Sequence, residues 1–234
     1  MTAEYVTIIL AEASLELVPQ QIAGHSAVVK NARRRGRRPT ETLLDVSLHY
    51  HAMRRLSKRE KRGRPDIVHI TLLELLSSPL NLEGRLRVYV HTLNDYVLFI
   101  DPTTRIPKNY NRFVGLMEQL FVEGQIPPQA DKPLITMKPA TLSSLLKMLG
   151  FDNIILLSEW GKLRSPTEIC SESLKQDIPM VIGAFPHGDF EEETKALARS
   201  VYAIYPKPLE TWVVASRITH ACEELLGILP KEKP

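Results

Sequence analysis

From Ile135 onward, short apolar runs alternate with helix-like stretches, and this alternation constrains the fold more than any other feature of the chain. Ile135–Met137, Ile154–Leu157, Met180–Ile182 and Val201–Tyr205 read as strands. Thr141–Leu149 has helical periodicity and stops at Gly150. Phe190–Arg199 opens with acids and closes with bases, as a helix dipole prefers, and Leu209–Leu226 is a long final helix stopped by Gly227. Strands alternating with helices call for an α/β sheet with helices on its faces. The first half fits the same frame. Val6–Leu10 is a buried strand, and Leu86–Thr92 and Tyr96–Ile100 flank a tight Leu93-Asn94-Asp95 connection, as in a hairpin. Pro65 and Asp66 suit the first turn of a helix over Ile67–Leu76. Phe113, Leu116, Met117, Leu120 and Phe121 fall on one helical face ahead of Gly124. Pro39-Thr40-Glu41 reads as the start of a helix carrying the stripe Leu44, Leu48, Ala52 and Leu56. The 234 residues read as one domain, 1–234, large enough to bury a real core.

Charge is distributed unevenly. The formal net charge is only +3, yet residues 24–64 hold thirteen bases against three acids, a local charge of +10. A basic helix-and-loop segment on an otherwise near-neutral chain points to a polyanionic partner, the alternative being a solvated basic loop. No stretch approaches 18 uninterrupted apolar residues, and Met1-Thr2-Ala3-Glu4 lacks the basic opening of a signal peptide. Cys170 and Cys222 are too few for a disulfide framework and read as buried small hydrophobes in a reduced, cytoplasmic protein. The seven histidines show no metal-binding spacing, so no metal is expected.

Two strand-to-helix loops could carry a ligand. Gly183-Ala-Phe-Pro-His-Gly188 follows a strand at the place where open α/β sheets bind cofactors, though a plain turn would look the same. Tyr205-Pro206-Lys207-Pro208-Leu209-Glu210 is stiffened by two prolines. Neither has the pattern of a phosphate-gripping or dinucleotide-binding loop, which argues against an ordinary Rossmann methyltransferase. Arg64, Arg105, Lys108 and Arg112 sit in proline-containing loops or at helix starts, which suits contacts to phosphate. Asp66 stands two residues from Arg64, placed either to hold that guanidinium or to favour the helix dipole.

Arg64-Pro65-Asp66-Ile67-Val68-His69, Thr104–Lys108, Arg112–Met117, Gly183–Gly188 and Pro208-Leu209, taken in order, closely resemble the N1-specific pseudouridine methyltransferases of small-subunit ribosome biogenesis. These belong to the SPOUT, or α/β-knot, superfamily, and the chain is most similar to the archaeal branch. The resemblance implies a SPOUT-type knot with family-specific N-terminal additions, its last helix threaded through a loop to form a C-terminal trefoil. It implies S-adenosylmethionine as methyl donor, a pseudouridine in a small-subunit rRNA hairpin as acceptor, and a homodimer, with neither DNA nor membrane as partner. The cofactor would lie at Leu157, Gly183 and Gly188 and along Ile204, Tyr205, Pro206, Lys207, Pro208 and Leu209. The rRNA contacts would be Arg64, Asp66, Arg105, Lys108 and Arg112, with Lys108 standing where some relatives carry Arg. No general base stands out. Asp66 is a candidate by proximity, but it is also the residue placed to orient Arg64. Two other readings stay open: an rRNA-binding assembly factor without catalysis, and a knotted methyltransferase acting on another RNA uridine.

Overall fold

A computed structural model describes residues 3–229; Met1 and Thr2, two of the four residues behind the expectation about a signal peptide, lie outside the described residues, as do the last five. The strands are β1 (Val6–Ala13), β2 (Leu86–Thr92), β3 (Tyr96–Ile100), β4 (Gln125–Ile126), β5 (Ile135–Pro139), β6 (Ile154–Leu163), β7 (Met180–Gly183) and β8 (Ala198–Ala203). The helices are α1 (Ser26–Arg34), α2 (Val46–His49), α3 (Pro65–Ser77), α4 (Pro79–Leu82), α5 (Tyr110–Glu123), α6 (Leu142–Leu149), α7 (Pro166–Gln176), α8 (Glu192–Lys195) and α9 (Thr211–Leu226). Among the described residues the eight strands form one sheet in the order β4-β5-β3-β2-β1-β7-β6-β8. From β2 through β8 the pairings are parallel, whereas β3, β5 and β4 add antiparallel pairs at the other edge.

The apolar run of β1 has a direct explanation in this arrangement. Val6, Ile8 and Leu10 enter the core under α3, α7 and α9, while Ile9 and Ala11 enter a second core on the opposite face with Leu142, Leu145 and Leu146 of α6. A strand buried on both faces has no polar side to alternate with. A third, smaller core packs Val28, Leu44, Ala52, Met53 and Leu56 of the basic segment against Val18 and Ile22, which precede it, and holds the segment as folded structure.

Four expectations are corrected. The single helix foreseen after Pro39 is broken into a 3-10 turn at Pro39–Glu41, the short α2, and a second turn at Ala52–Arg55. There, Asp45 accepts the N–H of Ser47 and Val46 N–H bonds Gly63, so tertiary contacts override the local periodicity. The Phe190–Arg199 helix shrinks to α8, because Ala198 and Arg199 join the sheet as β8 beside β6. Tyr205 accordingly lies in a loop rather than in a strand. The cysteines are not separate thiols: Cys170 of α7 and Cys222 of α9 form a disulfide, their Cα atoms 5.5 Å apart. Helix packing brings together two residues 52 positions apart, which no spacing rule reveals.

Three labelled helices were not foreseen: α1, the one-turn α4 and α7. α7 begins at a capping box, in which Ser165 accepts the N–H of Glu168 and Glu168 reaches back to Ser165. The Ser165-Pro-Thr-Glu168 pattern could have found it. α1 begins at His25, whose ring accepts the Ala27 N–H, an unusual cap that gives no standard signal.

Candidate functional site

β1, β7, β6 and β8 run parallel, so their carboxyl ends meet at one edge, where three loops enclose a cleft of about 270 Å³. The first wall comes from a bulge in β6. Tyr202 of β8 pairs with Leu157 and again with Lys162, leaving Ser158–Gly161 outside the ladder. Gly161 makes this possible, since a Cβ there would stand 2.5 Å from the Tyr202 backbone.

The second wall is the loop after β7. Ala184 N–H bonds Ala11 and Ser14 N–H bonds Ala184, which stitches the loop to the end of β1. A Cβ on Gly183 would lie 2.9 Å from the Phe185 ring, and Gly188 takes φ +93°, a conformation few other residues adopt. Asp189 is fixed by Lys195 at 2.8 Å. The third wall runs from Ala203 into α9, and the Thr211 hydroxyl donates to the Gly183 carbonyl at 2.8 Å, tying the third loop to the second.

Of the residues named from sequence, Leu157, Gly183, Gly188, Ile204, Tyr205, Lys207, Pro208 and Leu209 line this cleft. Pro206 does not, although both of its neighbours do. Sequence reasoning missed Ile182, Phe185, Phe190, Thr211 and Val214 as lining residues. Phe185 lies inside the glycine-flanked motif and could have been included, whereas Val214 is recognisable only once α9 is placed.

Of the basic residues, Arg64 is the one tied to this edge. Arg64 caps α3, and its guanidinium donates from Nε and Nη2 to the two Asp66 oxygens, both at 2.8 Å. That bond raises the Arg64 pKa, with smaller help from Glu210 and Asp45. Glu210 closes the third cleft loop, so the Arg64 pair lies within electrostatic reach of the cleft wall. The Arg64 N–H bonds the Ser14 hydroxyl at 2.8 Å, the same serine whose N–H bonds the second loop.

Arg105 and Lys108 are exposed on a loop anchored by buried Thr104 and Ile106 and by a 2.7 Å bond from His69 Nε2 to the Pro107 carbonyl. Arg112 is exposed in the first turn of α5, where Asn109 accepts its N–H. Among the described residues these three bases have no ion-pair partner. Between them and the basic segment, the Tyr110 hydroxyl donates to Asp45 at 2.7 Å, and burial followed by this bond raises its pKa. Burial likewise lowers the pKa of His49, which packs against Asn31 of α1.

The basic segment divides in two. Arg35 and Arg37 reach the buried Glu118, Arg62 binds Glu16 through two nitrogens, and Lys58, Lys61, Arg38 and Arg64 also have carboxylate partners. Burial keeps Glu118 above the usual carboxyl range even with two arginines beside it. Lys30, Arg33, Arg34, Arg54, Arg55 and Arg59 are exposed and unpaired among the described residues. The +10 read from sequence is therefore partly internal scaffolding, and the outward charge is smaller than the composition implies.

Comparison with known proteins gives a consistent result. Residues 8–223 match the family described as EMG1/NEP1 methyltransferase. The chain is 52% identical over 226 residues to the ribosomal RNA small subunit methyltransferase Nep1 of Staphylothermus marinus, covering 97% of this chain and 98% of that one. It is 47% identical over 223 residues to the protein of the same name from Saccharolobus solfataricus, covering 95% and 99%. The crystal structure of Archaeoglobus fulgidus Nep1 bound to S-adenosylhomocysteine superposes with a TM-score of 0.84 at 42% identity, over 97% of this chain and 100% of that one.

Proposed function

Because this chain belongs to the EMG1/NEP1 methyltransferase family, we propose that it transfers a methyl group from S-adenosylmethionine to N1 of a pseudouridine in small-subunit rRNA. The observation that carries this reading is the three-loop cleft with the Arg64–Asp66 pair fastened to its rim through Ser14. The cleft fits an adenosine-bearing ligand. Leu157, Ile182, Ile204 and Leu209 offer apolar surface for a base, the loop backbones offer hydrogen bonds along its edge, and Asp189 offers a carboxylate. Bound there, S-adenosylmethionine supplies a methyl group on a positively charged sulfur.

The residues of the chain hold the acceptor. Arg64, Arg105, Lys108 and Arg112 grip the RNA backbone, and the target base is extruded from its loop into the cleft. N1 of pseudouridine is an N–H, a position that in uridine is bonded to the ribose. The main contribution of the protein is then in-line positioning of this nitrogen against the donor. That both Asp66 oxygens are engaged by Arg64 supports a role for Asp66 in orienting that guanidinium, with the N1 proton passing to solvent.

The same reading takes the chain as one methyltransferase domain, with α9 threaded through a loop as a trefoil knot. In support, β8 lies at one edge of the sheet, while the helix that follows it packs against α3, α4 and α7. It also makes the protein a homodimer, for which Trp160, 74% exposed, and Leu163, 59% exposed, provide apolar surface on the extended β6.

A double dissociation tests the assignment. Gly183→Val is expected to abolish transfer and cofactor binding while sparing affinity for an rRNA hairpin. Arg112→Gln is expected to weaken hairpin binding and leave cofactor affinity intact. Loss of both affinities in either variant, in a folded protein, would contradict the two-part site.

A further inference from the structure

The mechanism above leaves unused the two most deeply buried charged side chains beside the cleft. Lys61, in the Arg59–Lys61 turn of the basic segment, is 3% exposed, and Glu12, where β1 loses register, is 2% exposed. The Lys61 ammonium lies 2.5 Å from Glu12 Oε2 and 3.2 Å from Glu191 Oε1, and 4.4 Å from the centre of the Phe185 ring. Glu12 Oε1 accepts the backbone N–H of Glu191 at 2.9 Å, and Lys58 binds the other Glu191 oxygen at 3.0 Å. One ammonium thus contacts both ends of the segment 185–191, through an aromatic ring at its start and a carboxylate at its end. Between them, a Cβ on Gly188 would meet Lys61 Cε at 3.5 Å.

Phe185 and Gly188 line the cleft, and Lys61 does not. A buried ion pair adds little net stability over apolar residues of the same volume, so stability alone does not account for this one. Glu12 also holds φ at 50°, the kind of backbone strain that persists only where the surroundings enforce it. What the cluster does supply is fixed geometry for the loop above it.

We propose that Lys61 is a positioning residue for the cofactor, its ammonium locked to Glu12 and holding Phe185 and Glu191 so that the 183–191 loop keeps its binding shape before any ligand arrives. This rests on the cleft being the S-adenosylmethionine site. The same stretch of chain continues into Arg62, bonded to Glu16, and Arg64, bonded to Ser14, so the segment that shapes the cofactor loop also carries the RNA-facing arginine.

The test measures S-adenosylmethionine affinity by calorimetry, and hairpin RNA affinity in parallel, at 25 °C. Lys61→Met keeps the side-chain length without the charge. The double variant Glu12→Gln/Lys61→Met also removes the carboxylate that would otherwise be orphaned. Both are expected to bind S-adenosylmethionine about tenfold or more weakly, because preorganisation is lost. Hairpin affinity is expected to stay within about twofold and KM for the cofactor to rise more than kcat falls, as loss of ground-state binding requires. A folded double variant with wild-type cofactor affinity would overturn the proposal and reduce Lys61 to a structural role. Failure of the wild-type protein to bind S-adenosylmethionine would overturn the cleft assignment, and this inference with it. Hydrogen exchange on the unsubstituted protein gives a second measure: backbone amides of 184–191 are expected to be nearly as protected without ligand as with it. Free-loop exchange rates in the ligand-free protein would refute preorganisation.

Discussion

Reducing the Cys170–Cys222 disulfide is expected to remove a large share of the folding stability while leaving the cleft in place. The bond joins α7 to α9 across a separation of 52 residues. Closing a loop of that length restricts the unfolded chain enough to stabilise the fold by about 4 kcal/mol at 25 °C. Both sulfurs are fully buried among apolar neighbours, where free thiols pack as small hydrophobes, so reduction adds no unsatisfied polar group. For a chain of this size the loss corresponds to a fall in Tm of about 8–16 °C. Guanidinium denaturation with and without a reductant, at equal m, gives the difference directly. Thiol titration in denaturant must count no free thiols in the untreated protein and two after reduction. Cofactor affinity at 25 °C is expected to be nearly unchanged, because the Thr211–Gly183 bond and the β1 stitching do not depend on the disulfide. A stability loss below about 1 kcal/mol with both thiols titrated, or two free thiols in the untreated protein, would refute the reasoning.

Three further outcomes follow from particular contacts. Gly161→Ala forces a methyl group into the Tyr202 backbone and is expected to destabilise the protein by about 2 kcal/mol or more, read from denaturation midpoints, and to weaken cofactor binding by shifting the first cleft wall. Arg64→Gln is expected to lower hairpin affinity and to reduce the slope of log K against log salt by about 0.7, as for one lost phosphate contact on single-stranded RNA. His49 titrates lower in the fold than its ordinary 6.5, because burial disfavours the imidazolium more than Asp45 favours it. Below about pH 6.5 the unfolded chain then binds a proton that the folded chain refuses, so stability falls as the pH drops toward the depressed native pKa. His49→Gln, less stable at pH 7, is expected to show a shallower fall between pH 7 and pH 5 in the same denaturation assay.

How far the sequence could be read depended on whether the signal was local. The long apolar strand β1, the hairpin β2–β3 and the glycine-stopped helices α5, α6 and α9 follow from periodicity and caps, because local propensity and burial agree there. The stripe after Pro39 failed because Leu44, Ala52 and Leu56 turn into a separate small core through irregular backbone while Leu48 is left exposed. Residue types do not reveal the pairing of Cys170 with Cys222, or of Glu118 with Arg35 and Arg37, since each joins distant segments through packing. The cleft was legible through its punctuation, the glycines of the second loop and the prolines of the third, and the resemblance supplied its use. Lys61 was invisible as anything but one charge in a basic run. Only the fold shows that it faces inward, beneath Phe185.

The acceptor atom is what distinguishes N1-pseudouridine methylation from other RNA methylation, and the methylated product identifies it. The protein is incubated with isotope-labelled S-adenosylmethionine and two matched rRNA hairpins that differ only in carrying pseudouridine or uridine at the loop position. The RNA is then digested to nucleosides and analysed by mass spectrometry. Label is expected in N1-methylpseudouridine from the first hairpin, and none from the second. Equal transfer to uridine, or binding of both hairpins with no transfer at all, would contradict that assignment.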